Sequence, residues 1–174
     1  GIAYNTKKVS QAPKSWIDVQ GPLYKGKFVV ANPSLSGTSL MSSVILVNKF
    51  GWGFFEKLKA NEAKVGQGSG QVVDDTAAGA FNACIAVDYI VLDKIKDGAN
   101  LGFAYPPEMV IMPSPAAIMK GTKNLAGAKK FMDFLLSKEG QAIVAQAGTL
   151  PARSDVPLSK EIAALGLKSV DDAI

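Results

Sequence analysis

The most suggestive polar residues of this 174-residue chain lie in short turns that precede helical patterns. Ser36-Gly37-Thr38-Ser39 opens a helix directly after a β-rich run. The first N–H groups of a helix have no internal partner and the helix dipole is positive there, so such a turn can bind an anion. Gly37 lets the backbone approach a ligand, and the hydroxyl groups add donors. Ser and Thr are also ordinary N-caps, and the residues alone leave that alternative open.

A second turn, Gly66-Gln67-Gly68-Ser69-Gly70-Gln71, also stands before a helical pattern. It can supply another set of N–H donors, with Ser69 and Gln71 as candidate ligand contacts. It is not a nucleotide-binding P-loop, because no Lys-Ser or Lys-Thr pair follows the glycines. A flexible loop without a ligand explains the same composition equally well.

A third candidate is Asp88-Tyr89, which lies between an apolar strand pattern and a helical pattern. Open α/β sheets bind ligands beyond the carboxyl ends of their strands, and a side chain at this point reaches that crevice. A carboxylate beside an anion site suits a ligand that carries an amino group as well as a negative group. The alternative is that Asp88 only caps its helix.

The composition excludes several kinds of chemistry. The chain has no His and a single cysteine, Cys84. It therefore has no residues for a Cys/His zinc site, a Ser-His-Asp triad, a Cys-His pair or an internal disulfide. No Gly-x-Ser-x-Gly nucleophile motif is present. These absences predict a protein that is not an enzyme, and the apolar run Ala83–Val87 predicts that the Cys84 thiol is buried.

The charges do not indicate a nucleic-acid partner. The net charge is +4, but Arg153 is the only arginine among 19 basic residues, and the lysines are dispersed along the chain. Phosphate clamping and base readout favour arginine. The longest apolar stretches are also interrupted, for example by Asp88, and none approaches the roughly 20 residues needed to cross a bilayer.

Strand and helix patterns alternate through the first hundred residues. This alternation predicts an α/β fold with a mainly parallel sheet flanked by helices. The pattern changes after Gly98, where prolines interrupt extended segments. The predicted strands are Lys27–Asn32 and Ala80–Val87, and the predicted helices are Thr38–Asn48, Phe54–Ala63, Gln71–Ala78, Tyr89–Lys96, Leu125–Leu136, Lys138–Ala147 and Leu158–Leu165.

Six segments, in this order, resemble the later part of the extracellular solute-binding proteins of ABC importers. The resemblance is to the type II periplasmic-binding-protein group that includes ferric-ion, phosphonate and phosphorylated-compound binders. The segments are Gly1–Lys7, Trp16–Asp18, Tyr24–Lys27, Asn32–Thr38, Pro113–Ile118 and Phe131–Gln141.

The resemblance implies two α/β lobes that hold a ligand in the cleft between them. Residues 1–104 would form the second lobe, 105–123 the inter-lobe crossing, and 124–174 helices of the first lobe, whose N-terminal part would be absent here. The expected location is periplasmic or extracellular, and the expected partners are ABC permease subunits. The C-terminal helices would pack on the absent lobe or self-associate through Phe131, Phe134 and Leu135.

The resemblance also implies roles for the candidate residues. The family places an oxyanion at the turn that matches Ser36-Gly37-Thr38. Ferric-ion binders of the family have two adjacent tyrosines where this chain has Asp88-Tyr89, so only Tyr89 would remain as a metal ligand. Tyr4 and Tyr105 flank the two proposed crossings, and Tyr4 is expected to contact the ligand.

The function that this resemblance implies is the capture of a small anionic solute, a phosphonate or a phosphorylated compound, for delivery to a permease. No cofactor is expected. One alternative is ferric-iron transport, in which Fe(III) would bind with a synergistic anion. The other is an extracytoplasmic lobe that senses a ligand and signals to a partner.

Overall fold

The computed structural model describes residues 1–173 and contains two compact units, Gly1–Val110 and a second unit that begins at Ile111. Each unit is described separately below. The assignment of 1–104, 105–123 and 124–174 to lobes and a crossing stays a prediction.

The first unit is built on a mixed sheet of five strands in the order β3-β2-β4-β1-β5. Parallel pairs join β2 to β3 and to β4, whereas antiparallel pairs join β1 to β4 and to β5. Four strands therefore run in one direction and β1 runs in the other. The strands are β1 (Ile2–Asn5), β2 (Phe28–Ala31), β3 (Lys64–Gly66), β4 (Ala83–Ile85) and β5 (Leu101–Ala104).

Four helices accompany this sheet, which confirms the predicted α/β class. Gly51 adopts φ 72° immediately after α1, and Gly98 adopts φ 86° just after α4. These positive φ values, which glycine adopts readily, end both helices. The helices are α1 (Gly37–Phe50), α2 (Gly53–Ala60), α3 (Ser69–Ala77) and α4 (Asp88–Lys96), and single-turn 3-10 helices occupy Asp18–Gln20 and Pro22–Tyr24.

Alternate residues of the strands bury opposite faces of the sheet. One face packs around Trp16, which is fully buried and belongs to a cluster with Leu46 of α1 and Phe54 of α2. The other face packs against α3, where Val72 and Val73 are fully buried. Cys84 lies in the strand at the centre of the sheet and is fully buried, as its apolar neighbours predicted.

The second unit contains three α-helices among its described residues. They are α5 (Leu125–Leu136), α6 (Lys138–Gln146) and α7 (Lys160–Ala164), and a 3-10 helix covers Val170–Ala173. The side chain of the buried Gln141 links the end of α5 to the segment after α6. It donates to Leu135 O at 2.7 Å and accepts from Ala152 N at 2.6 Å. Phe131 and Phe134 are exposed, as predicted, and Leu135 is half-buried.

No helix in the described part of the chain is both long enough and apolar enough to span a membrane.

Candidate functional site

The candidate residues gather at one edge of the sheet, which we call the carboxyl edge. The strands β2, β3, β4 and β5 run in the same direction, so their carboxyl ends meet at this edge. Three helices begin here, because β2 leads to α1, β3 to α3 and β4 to α4. The local sequence explains the turns, since Pro33 closes β2 and glycines follow β3.

Ser36 is the N-cap of α1. Its hydroxyl oxygen accepts a hydrogen bond from Ser39 N at 3.1 Å, and its carbonyl accepts the first helical bond from Leu40 N. The N–H groups of Gly37 and Thr38 precede that bond, so the helix itself provides them with no acceptor. N–H groups at such a helix N-terminus are suited to contact an anion.

The first turn of α3 lies beside the first turn of α1. Gly68 is its N-cap, and Val72 N donates the first helical bond to Gly68 O, so the N–H groups of residues 69–71 precede that bond. The hydroxyl oxygens of Ser36 and Ser69 lie 2.8 Å apart. Two helix N-termini therefore meet at the carboxyl edge, and neither has an acidic residue in its first turn.

Backbone contacts hold these two turns together. Asn32 N, just after β2, donates to both Gly66 O and Gln67 O at the end of β3. Gly66 also allows α3 to pack closely, since a Cβ there would lie 2.6 Å from Val72 Cγ1. In contrast, a Cβ on Gly37, Gly68 or Gly70 would meet no protein atom within 4 Å. The space beside these three glycines is therefore open.

Asp88 stands at the carboxyl edge as the first residue of α4 and is half-buried. Its Oδ1 accepts from Tyr89 N at 2.7 Å, and its Oδ2 accepts from the hydroxyl of Tyr105 at 2.6 Å. Burial, together with the neighbouring Asp88 carboxylate, raises the pKa of Tyr105 well above its usual range. Tyr105 is therefore a neutral hydrogen-bond donor. Tyr89 is 47% exposed.

Three predicted contacts are placed elsewhere. Ser39 is buried and its hydroxyl donates to Ala31 O, so that side chain supports the end of β2 instead of facing a ligand. Gln71 is exposed, and its amide donates to Asp75 one turn along α3. Tyr4 pairs with Ala83 and Gly102, at the amino ends of β4 and β5, because β1 is antiparallel to both. It packs over Gly102 at the opposite edge of the sheet.

The structure thus brings together Ser36, Gly37, Thr38 and Ser69, with Asp88 and Tyr89 on the same edge. The partnership of Tyr105 with Asp88 was not predicted. A tyrosine directly after β5 is the only signal for it in the sequence. Among residues 1–173, no group of three or more His, Cys, Asp or Glu side chains lies close enough to hold a metal ion.

Several relatives resemble the chain in sequence. It is 30% identical to the phosphoglycerate transport regulatory protein PgtC of Salmonella typhimurium, a match that covers 79% of the chain and 35% of that protein. It is 26% identical to a putative 2-aminoethylphosphonate-binding periplasmic protein of the same species, over 91% of the chain and 50% of the relative. It is also 26% identical to iron uptake protein A1 of Synechocystis, over 95% of the chain and 51% of that protein.

A solved structure has a fold similar to that of this chain. The periplasmic binding protein AfuA of Actinobacillus pleuropneumoniae, with fructose-6-phosphate bound, matches with a TM-score of 0.76 and 25% identity, over 92% of the chain and 55% of that protein. The chain therefore spans about a third to a half of the length of its relatives. The family model described as bacterial extracellular solute-binding protein matches residues 1–165, so the chain belongs to that family.

Proposed function

We propose that this chain forms the anion-binding half of a solute-binding protein that captures a small phosphonate or phosphorylated compound. The protein would act outside the cytoplasm, deliver its ligand to an ABC permease and catalyse no reaction. The observation that carries this proposal is the 2.8 Å contact between Ser36 and Ser69, which places the first turns of α1 and α3 side by side. A phosphoryl group has three oxygens, and two helix N-termini offer it several converging N–H donors.

The relatives support the same class of solute, since one is named for phosphoglycerate transport and another for 2-aminoethylphosphonate binding. An iron uptake protein is also among the relatives. We favour the phosphorus compounds over Fe(III), because Fe(III) would find one phenol here, Tyr89, where the resemblance implies two. One oxygen of the neighbouring Asp88 carboxylate already accepts from the Tyr105 hydroxyl. The alternative of another class is an extracytoplasmic lobe that senses the same ligand and signals to a partner.

The proposal is tested by following the backbone N–H signals of the isotope-labelled chain in solution while glycerol 3-phosphate is added. This measurement detects binding with millimolar dissociation constants. We expect such weak binding because the proposed site contacts the ligand from one side only. We expect the N–H signals of Gly37, Thr38, Ser69 and Gly70 to shift together with a single dissociation constant. Glycerol at the same concentrations is the control and should shift none of them.

Saturable shifts confined to other parts of the chain would contradict the proposal. Equal shifts with glycerol would also contradict it, because they would show that the phosphoryl group is not what the turns recognise.

A further inference from the structure

We infer that Tyr105 is a positioning residue that fixes Asp88 as a hydrogen-bond acceptor, so that the site selects phosphoryl compounds with a donor group at their other end. This inference rests on the proposed function and extends it from the anion to the rest of the ligand. Such a donor is an ammonium or a hydroxyl group.

The first step concerns how Tyr105 itself is held. Its ring packs edge-to-face against Phe103 with 5.1 Å between ring centroids, and Phe103 is only 6% exposed within β5. Three residues further on, Glu108 O accepts a hydrogen bond from Nε1 of the buried Trp16 at 2.8 Å. The residues on both sides of Tyr105 are therefore anchored to the first unit, and the direction of its hydroxyl is defined.

The second step concerns the contact with Asp88. In the sheet order, β1 lies between β4, which leads to Asp88, and β5, which leads to Tyr105. The 2.6 Å hydrogen bond thus bridges two strand spacings, about 10 Å, at the carboxyl edge. It joins helix α4 to the end of β5 and orients the carboxylate.

The third step concerns what the oriented carboxylate can bind. A carboxylate has acceptor sites for about four hydrogen bonds. One is used by Tyr105 and one by Tyr89 N. Because the hydroxyl of Tyr105 donates its proton to Asp88, the pair presents acceptors and negative charge to a ligand. A phosphoryl group is repelled from this position, whereas an ammonium or a hydroxyl group is attracted.

The last step is the geometry between the two ends of the ligand. β4 neighbours β2, so the turn that begins α4 and the turn that begins α1 follow adjacent parallel strands and lie at the same edge of the sheet. A ligand that contacts both turns therefore carries its donor at the end away from the phosphoryl group. Inorganic phosphate and simple alkyl phosphates satisfy only the α1 and α3 end.

The experiment compares matched ligands that differ only in the donor. 2-Aminoethylphosphonate is compared with ethylphosphonate, and glycerol 3-phosphate with propyl phosphate, by the same N–H titration. We expect the unmodified chain to prefer the donor-bearing member of at least one pair by tenfold or more. Tyr105→Phe keeps the ring that packs on Phe103 and should reduce this preference at least threefold without weakening the binding of ethylphosphonate. Tyr24→Phe, another tyrosine of the first unit, is the matched control and should keep the preference.

The outcomes separate this inference from the proposed function. A Tyr105→Phe chain that binds all four ligands with unchanged preference would overturn the role of Tyr105 only. Equal binding of both members of each pair by the unmodified chain would overturn the selectivity while leaving the anion site in place. Absence of binding for every phosphorus compound would overturn both. A parallel loss of affinity for ethylphosphonate in Tyr105→Phe would show a merely structural role and would also overturn the inference.

Discussion

The hydroxyl oxygens of Ser36 and Ser69 lie 2.8 Å apart although 33 residues separate them in the chain. Ser36 caps α1 and Ser69 is the first residue of α3, so the contact joins the starts of two helices that follow neighbouring parallel strands. Parallel strands with short connections place successive helix N-termini at one edge of a sheet. In this protein, the starts of α1 and α3 therefore lie side by side at that edge.

The open space at Gly37 predicts that Gly37→Ala weakens ligand binding without lowering the melting temperature. A Cβ there would meet no protein atom within 4 Å, so Gly37→Ala should leave the melting temperature unchanged or slightly raised. The same methyl group would obstruct the approach of a ligand oxygen to the N–H groups. Loss of one charge-assisted hydrogen bond weakens glycerol 3-phosphate binding by about tenfold or more.

Gly53→Ala is the matched control for that change. Gly53 is the first residue of α2, as Gly37 is of α1, and its Cβ would also meet nothing within 4 Å. We expect the control to keep the affinity of the unmodified chain. If Gly37→Ala keeps it as well, the turn that begins α1 does not approach the ligand closely.

The buried thiol predicts how stability depends on alkaline pH. Burial raises the pKa of Cys84 to about 12. A thiol in the unfolded chain ionises near pH 8.5, so above that pH the unfolded state releases its proton while the folded state retains it. The free energy of unfolding therefore decreases as pH rises from about 8.5 towards about 12, and is unaffected by this group at lower pH.

Urea unfolding measures this effect directly. Between about pH 8 and about pH 10 the unmodified chain should lose about 2 kcal/mol more stability than Cys84→Ala does. Other groups titrate equally in both proteins, so the difference isolates the thiol. Identical losses would show that the thiol of Cys84 is accessible to solvent in the folded chain.

The ferric alternative gives a prediction that can be seen in visible light. Phenolate ligands of Fe(III) absorb strongly through charge transfer, and two of them are expected where the family has paired tyrosines. The resemblance places Asp88 at one of those positions, and the Tyr105 hydroxyl donates to Asp88. Addition of Fe(III) and phosphate should therefore produce no intense visible band. A band that Tyr89→Phe abolishes would reinstate iron as the cargo.

The local elements were accessible from the sequence because short-range signals determine them. The pattern of Leu125–Leu136 predicted α5 with its observed bounds. β3 was missed, because Val65 is its only apolar side chain and a glycine-rich turn follows it. Backbone hydrogen bonds to β2 hold β3 in the sheet, although its own residues form no clear strand pattern.

Long-range relationships were not accessible in the same way. Tyr4 was predicted at the site, but β1 runs antiparallel to its neighbours and carries that residue to the opposite edge. Ser39 belongs to the right turn, yet its hydroxyl is used by Ala31 O. The partnership of Asp88 with Tyr105 depends on the strand order β4-β1-β5, which no local pattern specifies.

The dissociation constant of glycerol 3-phosphate for Ser36→Ala, compared with that for Ser137→Ala, tests the anion site most directly. Both serines cap a helix with a 3.1 Å bond from a backbone N–H, and each makes one further hydrogen bond, so each substitution should cost about 1 kcal/mol of stability. Ser36→Ala should weaken binding by about tenfold or more, since a charge-assisted bond contributes roughly 1.5–3 kcal/mol. Ser137→Ala should leave binding unchanged. An unchanged affinity in Ser36→Ala, with its melting temperature lowered as in Ser137→Ala, would contradict the account, because Ser36 would then be a helix cap and nothing more.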